Sequence, residues 1–111
     1  IDFRVSNVIE SENAGKLKGV DLIKIDVDGY ECDVLSGARK TISTYRPIMV
    51  MELAPYVLTQ HGGSLKLMLE PFFENGYKLY HESNLQPLNK SITEIEDSIA
   101  VGACINVVAM V

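Results

Sequence analysis

The sequence predicts an α/β fold in which a parallel strand–helix–strand unit is followed by an antiparallel pair of strands. Residues 20–27 and 48–53 are nearly continuous apolar runs, which is typical of strands buried on both faces of a parallel sheet. A helical pattern joins them within about 30 residues, as in a βαβ unit with a right-handed crossover. Two later apolar segments, residues 77–81 and 104–111, are separated by a long polar return that favours antiparallel pairing. The length of 111 residues allows one domain.

The residues before the first strand show no strong pattern. Residues 1–20 carry only a weak helical spacing and are predicted to be a loop with one helical turn, ended by Gly19. The first residue is Ile1 rather than Met, so we expect a processed product or the tail of a longer polypeptide.

An acidic turn, Asp-Val-Asp-Gly at residues 26–29, separates the first strand from a helix predicted over residues 30–45. The apolar residues of this helix form one stripe: Tyr30, Val34, Leu35, Ala38 and Ile42. Asp28 and Glu31 have the spacing of a capping box. In that arrangement Asp28 accepts hydrogen bonds from the first helical turn, and Glu31 reaches back to the amide of Asp28. Pro47 then forces the chain out of the helix.

The second strand also ends at a carboxylate, Glu52. The residues that follow, 54–63, contain one proline and two glycines and are predicted to be a loop leaving the same edge of the sheet. This loop carries Tyr56 and His61.

The remainder of the chain contains one more predicted helix and the closing strands. Ser64 is expected to cap the helix, Pro71 to kink or restart it, and Gly76 to end it. Residues 82–102 are polar and are expected to be irregular. Their acids are interpreted as a solvated face: Glu94, Glu96 and Asp97. The last strand, residues 104–111, is expected to lie in the centre of the sheet.

Three carboxylates are expected at the carboxyl edge of the parallel strands, where open α/β sheets bind ligands. Asp26 and Asp28 are two residues apart and therefore share a side of their strand, and Glu52 ends the neighbouring strand. Such a group could bind a divalent cation, remove a proton from a substrate hydroxyl, attract a sulfonium cation, or hydrogen-bond a polar ligand. For Glu52 the structural alternative is a salt bridge with Lys24 or Arg46.

The other candidates have simpler explanations as well. Gly29 is expected to serve the turn. Asp28 and Glu31 are expected to cap the helix, and a functional role in addition to capping is compatible with this. His61 is a candidate base or substrate contact, although an exposed loop histidine often has no role.

Composition argues against several classes of function. A formal net charge of −5 disfavours nucleic acid and anionic membranes as partners. No run of 18 apolar residues is present, and no signal peptide is visible. Cys32 and Cys104 make no metal motif and are expected to be reduced thiols of a cytoplasmic protein.

Three stretches resemble the FkbM-type methyltransferases. Residues 21–31 read DLIKIDVDGYE, residues 34–38 read VLSGA and residues 46–53 read RPIMVMEL. The family shows I-K-I-D-V-E-G-x-E, L-x-G-A and R-P-x-x-x-x-E, so Asp28 stands where the family usually has Glu. The similarity continues through Gly76-Tyr77 to the last strand and covers residues 17–111.

The resemblance implies the C-terminal half of a class I methyltransferase sheet, which is Rossmann-like. It implies S-adenosylmethionine as cofactor and a hydroxyl of a small molecule or sugar as acceptor. The residues expected to bind the cofactor are Asp26, Asp28, Gly29 and Glu31. The expected catalytic residues are Asp26, Glu52 and His61, and no metal ligand is assigned.

The family's Gly-rich cofactor loop and its ribose-binding acid are not found in this sequence. Residues 1–111 are therefore expected to be a single partial domain that lacks the N-terminal cofactor-loop half. We expect the isolated chain to be inactive and to bind the cofactor weakly or not at all. The open sheet edge is expected to be covered by a second copy of the chain, by a partner or by the missing half.

Two other functions compete with this interpretation. One is a non-catalytic fragment or interaction module that keeps the same fold. The other is a haloacid-dehalogenase-type phosphatase, in which Asp26 would be the nucleophile and Asp28 the acid. Tyr30 stands where that family has Thr or Val, which disfavours it. A calcium loop of the EF-hand type is weaker still, because Gly29 comes too early.

Overall fold

A computed structural model describes residues 21–111, which contain four strands and five helices. Their bounds in chain order are β1 Leu22–Ile25, α1 Glu31–Gly37, α2 Arg39–Tyr45, β2 Ile48–Leu53, α3 Pro55–Gln60, α4 Leu65–Glu74, β3 Lys78–His81, α5 Ile92–Ser98 and β4 Ile105–Met110. The loop predicted over residues 1–20 lies outside the described residues. Within the described part no helix is long and apolar enough to cross a membrane.

The four strands form one mixed sheet in the order β1-β2-β4-β3. Strands β1 and β2 are parallel, with Leu22 opposite Ile48 and Ile25 opposite Met51. Strand β4 is antiparallel to both of its neighbours, β2 and β3. The predicted α/β class is therefore confirmed, including the parallel βαβ unit, the closing antiparallel pair and the internal position of β4.

One face of the sheet carries the hydrophobic core. Strand residues that lie side by side in register are buried there: Ile23, Ile25, Met49, Met51, Leu53, Leu79, Val107 and Ala109. The buried helix residues join them in a single cluster: Val34, Ala38, Ile42, Leu58, Leu65, Met68, Leu69, Phe72 and Ile95. Full burial of one large apolar side chain stabilises the fold by about 1.5–3 kcal/mol, so this face carries most of the stability.

The prediction that β1 is buried on both faces is wrong. Its residues alternate between exposed and buried, and Leu22 is 59% exposed beside the exposed Ile48 of β2. The described helices bury their side chains in the cluster on the opposite face, which explains the alternation.

The predicted helix over residues 30–45 is divided at Ala38, whose backbone (φ −106°, ψ 7°) leaves helical geometry. Two seven-residue helices result. Most of the predicted stripe faces the core, but Tyr30 is 50% exposed. Arg46 ends α2 in a left-handed conformation (φ 48°, ψ 54°) rather than in the extended one that usually precedes proline.

Two short helices were not predicted. The expected loop over residues 54–63 contains α3, whose first residue is Pro55, a position at which proline is favoured because no amide is needed there. The expected irregular segment contains α5, which begins with a full capping box between Ser91 and Glu94. Six and seven residues are too few for a clear helical period, and each helix buries one large residue, Leu58 or Ile95.

The helix α4 begins and ends as predicted, but Pro71 neither interrupts nor restarts it. Ser64 accepts a hydrogen bond from the amide of Leu67 at 3.1 Å, and Gly76 follows the helix with φ 81°. Pro71 removes the partner of the Leu67 carbonyl. Leu67 lies on the exposed side of the helix, where water can take the place of the missing amide.

Candidate functional site at the carboxyl edge of the sheet

Two of the predicted acidic residues lie at the carboxyl ends of the two parallel strands. Asp26 directly follows β1, and Glu52 is the last residue but one of β2. Ile25 and Met51 form the last pair between these strands, and Asp26 and Glu52 each come next after one of them. Asp26 is exposed and Glu52 is half-buried. Glu52 also lies opposite Asn106 of β4. The topology therefore brings Asp26 and Glu52 to neighbouring strand ends, as the sequence predicted.

The turn after β1 is held in a rarely adopted backbone conformation. Asp28 has φ 49° and Gly29 has φ 100°, so two successive residues occupy the left-handed half of conformational space. The amide of Tyr30 closes the turn on the carbonyl of Val27 at 3.2 Å. Glycine is the residue that tolerates this geometry.

The carboxylate of Glu31 holds this turn from inside. Its Oε2 accepts the amide of Val27 at 3.1 Å, and its Oε1 accepts the amide of Gly29 at 3.0 Å. Glu31 is only 4% exposed. Hydrogen bonds to an ionised group are stronger than neutral ones, and both oxygens are used. Glu31 therefore shapes the turn that carries Asp28.

The predicted capping box is wrong in its details. Glu31 does reach back to the turn, but to Val27 and Gly29 rather than to the amide of Asp28. The residue at the cap position of α1 is Tyr30, and no side chain caps this helix. Asp28 is left exposed on the turn. Asp28 and Gly29 adopt left-handed conformations and form a turn between β1 and α1. Asp28 therefore lies two residues before the cap position.

Helix α3 and the residue after it lie against the acidic turn. A Cβ atom built on Gly29 would lie 2.4 Å from Cδ2 of His61, 2.7 Å from Cγ1 of Val57 and 2.9 Å from the carbonyl oxygen of Val57. The rings of Tyr30 and His61 are stacked, with centroids 4.2 Å apart and planes tilted by 32°. The structure therefore brings His61 to the turn between Asp26 and Glu31, although 30 residues separate it from Tyr30 in the chain.

Cys104 was not among the predicted site residues. A hydrogen bond with the side chain of Glu52 raises the pKa of the Cys104 thiol, because it stabilises the protonated form of the thiol. The thiol lies on the exposed turn before β4. No local pattern could have shown this contact, since it depends on the pairing of β2 with β4. Arg46, one of the salt-bridge partners considered for Glu52, instead donates to the carbonyl of Asn75 at 3.2 Å.

The sequence also allowed a divalent cation at these carboxylates. Among residues 21–111, no three His, Cys, Asp or Glu side chains are grouped so that they could hold a metal ion.

Comparison with known proteins identifies the family. The methyltransferase FkbM domain matches residues 4–79, which is more than half of the chain and includes β1, β2 and every residue predicted for the site. The match ends within β3, so the predicted similarity of residues 80–111 lies beyond it. Neither the curated proteins nor the solved structures gave a match. The chain belongs to the FkbM methyltransferase domain family.

Proposed function

We propose that this chain forms part of a methyltransferase that uses S-adenosylmethionine to methylate a hydroxyl group of a small molecule or sugar. The family match supports methyl transfer in general. The observation that favours this edge as the site is the position of Asp26 and Glu52 at neighbouring ends of parallel strands, since ligands of open α/β sheets bind there.

The donor set at this edge suits the cofactor. Asp26 and Asp28 are exposed carboxylates, which can accept hydrogen bonds from hydroxyl and ammonium groups and attract a positive charge. Glu31 and Gly29 contribute by fixing the turn, because the oxygens of Glu31 are already occupied by backbone amides. When bound, S-adenosylmethionine supplies a methyl group activated on a positively charged sulfur.

The acceptor hydroxyl must lose its proton as its oxygen gains the methyl group, and the donor leaves as a neutral thioether. Three residues of this edge are candidates to receive that proton: Asp26, Glu52 and His61. Histidine is the side chain used most often as a general base. The stacking of His61 on Tyr30 holds its imidazole next to the acidic turn, which supports His61 as the base.

We also propose that the site is completed by a part of the fold outside these 111 residues. The family's Gly-rich loop has no counterpart in this sequence, and β1 is an outer strand of the described sheet. We expect that edge to pair with the missing half, with a partner or with a second copy of the chain. The isolated chain should therefore bind the cofactor only weakly.

The test is a nuclear magnetic resonance titration of the ¹⁵N-labelled chain with S-adenosylhomocysteine, the product. We expect weak, millimolar binding that shifts the amides of residues 26–31, 52 and 61. Asp26→Asn should weaken it further. Glu74→Gln, at an exposed acid that ends α4, is the matched control and should change nothing.

Two outcomes would contradict the proposal. If the folded chain shows no shift at this edge, the cofactor site is wrong and the non-catalytic module is favoured. Micromolar one-to-one binding would show instead that this half suffices for a cofactor pocket.

A further inference from the structure

The strand β4 brings a further polar residue, Asn106, next to the carboxyl edge of β2. Asn106 lies directly opposite Glu52 in the antiparallel pairing of these two strands. Successive side chains of a strand point to opposite faces of a sheet, and the adjacent residues Met51 and Val107 are buried in the core. The side chains of Glu52 and Asn106 therefore lie side by side on the face of the sheet that is opposite to this core.

The spacing of these two side chains suits one hydroxyl group between them. Residues directly opposite each other in an antiparallel pair have Cβ atoms about 4.5–5.5 Å apart. A hydroxyl that donates to a carboxylate and accepts from an amide needs about 2.7 Å on one side and about 2.9 Å on the other. One oxygen atom can therefore be held from both sides, with the carboxylate of Glu52 as acceptor and Nδ2 of Asn106 as donor.

Both side chains have hydrogen-bonding capacity left for a ligand. Asn106 is exposed, and among residues 21–111 its carboxamide has no hydrogen-bond partner. Glu52 is half-buried and forms a hydrogen bond with the thiol of Cys104. Cys104 comes two residues before Asn106 in the chain, so this bond draws the carboxylate toward β4. A carboxylate has about four acceptor positions, and one bond to a thiol leaves the others for a ligand.

The backbone that carries Asn106 is held by the sheet on both sides. Strand β4 lies between β2 and β3, and the carbonyl of Asn106 accepts the amide of Glu82 at 3.2 Å. Side chains on strands are positioned more precisely than side chains on loops. Asn106 is therefore better placed to fix a bound group than Asp28, which lies on an exposed turn.

We propose that Asn106 is an acceptor-binding residue of the methyltransferase site, and that Asn106 and Glu52 together hold a hydroxyl group of the acceptor. This inference rests on the proposed methyltransferase function and adds a residue to its site. The family match ends at residue 79 and so assigns no role to Asn106. Asn106 donates to the hydroxyl oxygen, and Glu52 accepts the hydroxyl proton in a hydrogen bond.

The ¹⁵N-labelled chain is titrated with two uncharged polyols, myo-inositol and, separately, D-glucose. The carboxamide of Asn106 gives its own pair of proton signals, so the proposed contact is observed directly. We expect each polyol to shift these signals and the backbone amides of residues 52 and 106. Binding should be weak, because the site is completed by a part of the fold outside this chain, but it should saturate.

Two variants and a matched control complete the design, read at the backbone amides of residues 52 and 106. Asn106→Asp replaces the donor by an oxygen of nearly the same size, and should weaken polyol binding about two- to tenfold, the effect of one hydrogen bond. Glu52→Gln weakens the acceptor and should have an effect of similar size. Gln60→Glu makes the same chemical change as Asn106→Asp at an exposed carboxamide that ends α3, and should leave binding unchanged. Amide spectra that match the unaltered chain away from this edge show that each variant is folded.

The outcomes separate this inference from the proposed function. If neither polyol shifts the carboxamide signals of Asn106, or if Asn106→Asp binds both polyols as tightly as the unaltered chain, its role in acceptor binding is overturned. Unchanged binding by Glu52→Gln would overturn the joint action of the two residues. The S-adenosylhomocysteine titration tests the cofactor site at residues 26–31. Its failure beside a positive polyol titration would therefore count against the proposed function and not against the role of Asn106 in binding a hydroxyl.

Discussion

Replacing Gly29 by alanine tests whether the acidic turn is held as the structure shows. The new methyl group would introduce two kinds of strain. At φ 100° an L side chain is disfavoured, at a cost of about 1–2 kcal/mol. The Cβ would also lie 2.4–2.9 Å from atoms of His61 and Val57. One of these atoms is the backbone carbonyl oxygen of Val57, which cannot rotate away, and overpacking of this kind costs about 1–3 kcal/mol. Together Gly29→Ala should destabilise the chain by about 2–5 kcal/mol.

Gly102→Ala is the matched control. Gly102 has φ 81°, but a Cβ there would meet no atom within 4 Å. It should cost only the conformational part, about 1–2 kcal/mol. Any gain from the reduced freedom of the unfolded chain is the same for both glycines and cancels in the comparison. The difference between the two variants therefore measures the contact between the acidic turn and α3.

The assay is urea unfolding of the three proteins, followed by circular dichroism. With a slope of about 1 kcal/mol per molar urea, the midpoint of Gly29→Ala should lie about 1–3 M below that of Gly102→Ala. Equal slopes are required for the comparison to hold. If both variants unfold at the same midpoint, the close approach of His61 and Val57 to the turn is refuted.

Three further predictions concern single contacts. Glu31→Gln should lower the free energy of unfolding by about 1–3 kcal/mol in urea, because one amide oxygen cannot accept both backbone hydrogen bonds of the turn; an unchanged midpoint would contradict the role of Glu31. Tyr77→Phe should cost a similar amount, about 1–3 kcal/mol, since the buried carbonyl of Pro47 loses its hydroxyl partner at 2.7 Å; a neutral result would show that water replaces the hydroxyl. The thiolate is the reactive form of cysteine, so the raised pKa of Cys104 should move the pH midpoint of its alkylation by iodoacetamide upward. Glu52→Gln should bring that midpoint down, and an unshifted profile would exclude the hydrogen bond.

The parts of the fold that follow from local pattern were predicted well. Strand β2 spans Ile48–Leu53 as expected, because an unbroken apolar run followed by a carboxylate is visible within six residues. The internal position of β4 also followed from its apolar composition. Helix α3 was missed, because its six residues contain too little periodicity and its single buried residue, Leu58, depends on the core of the whole domain.

Some features of the candidate site could also be predicted from the sequence, and others could not. Asp26 and Glu52 could be placed at one edge from the sequence, because parallel strands end together and each acid directly follows an apolar run. The hydrogen-bond partners of Glu31 could not be predicted from the sequence. The left-handed conformations of Asp28 and Gly29 determine which backbone amides its carboxylate reaches.

The sequence by itself determined the βαβ unit and the carboxylates at the ends of its strands, because each depends on residues close together in the chain. It also determined the membership in a methyltransferase family, because that rests on the order of residues along the chain. Only the tertiary structure decided that His61 stacks on Tyr30 and that Cys104 contacts Glu52. These contacts join residues that are far apart in the chain. Their distances are set by how α3 packs on the acidic turn and by the register of β4 on β2.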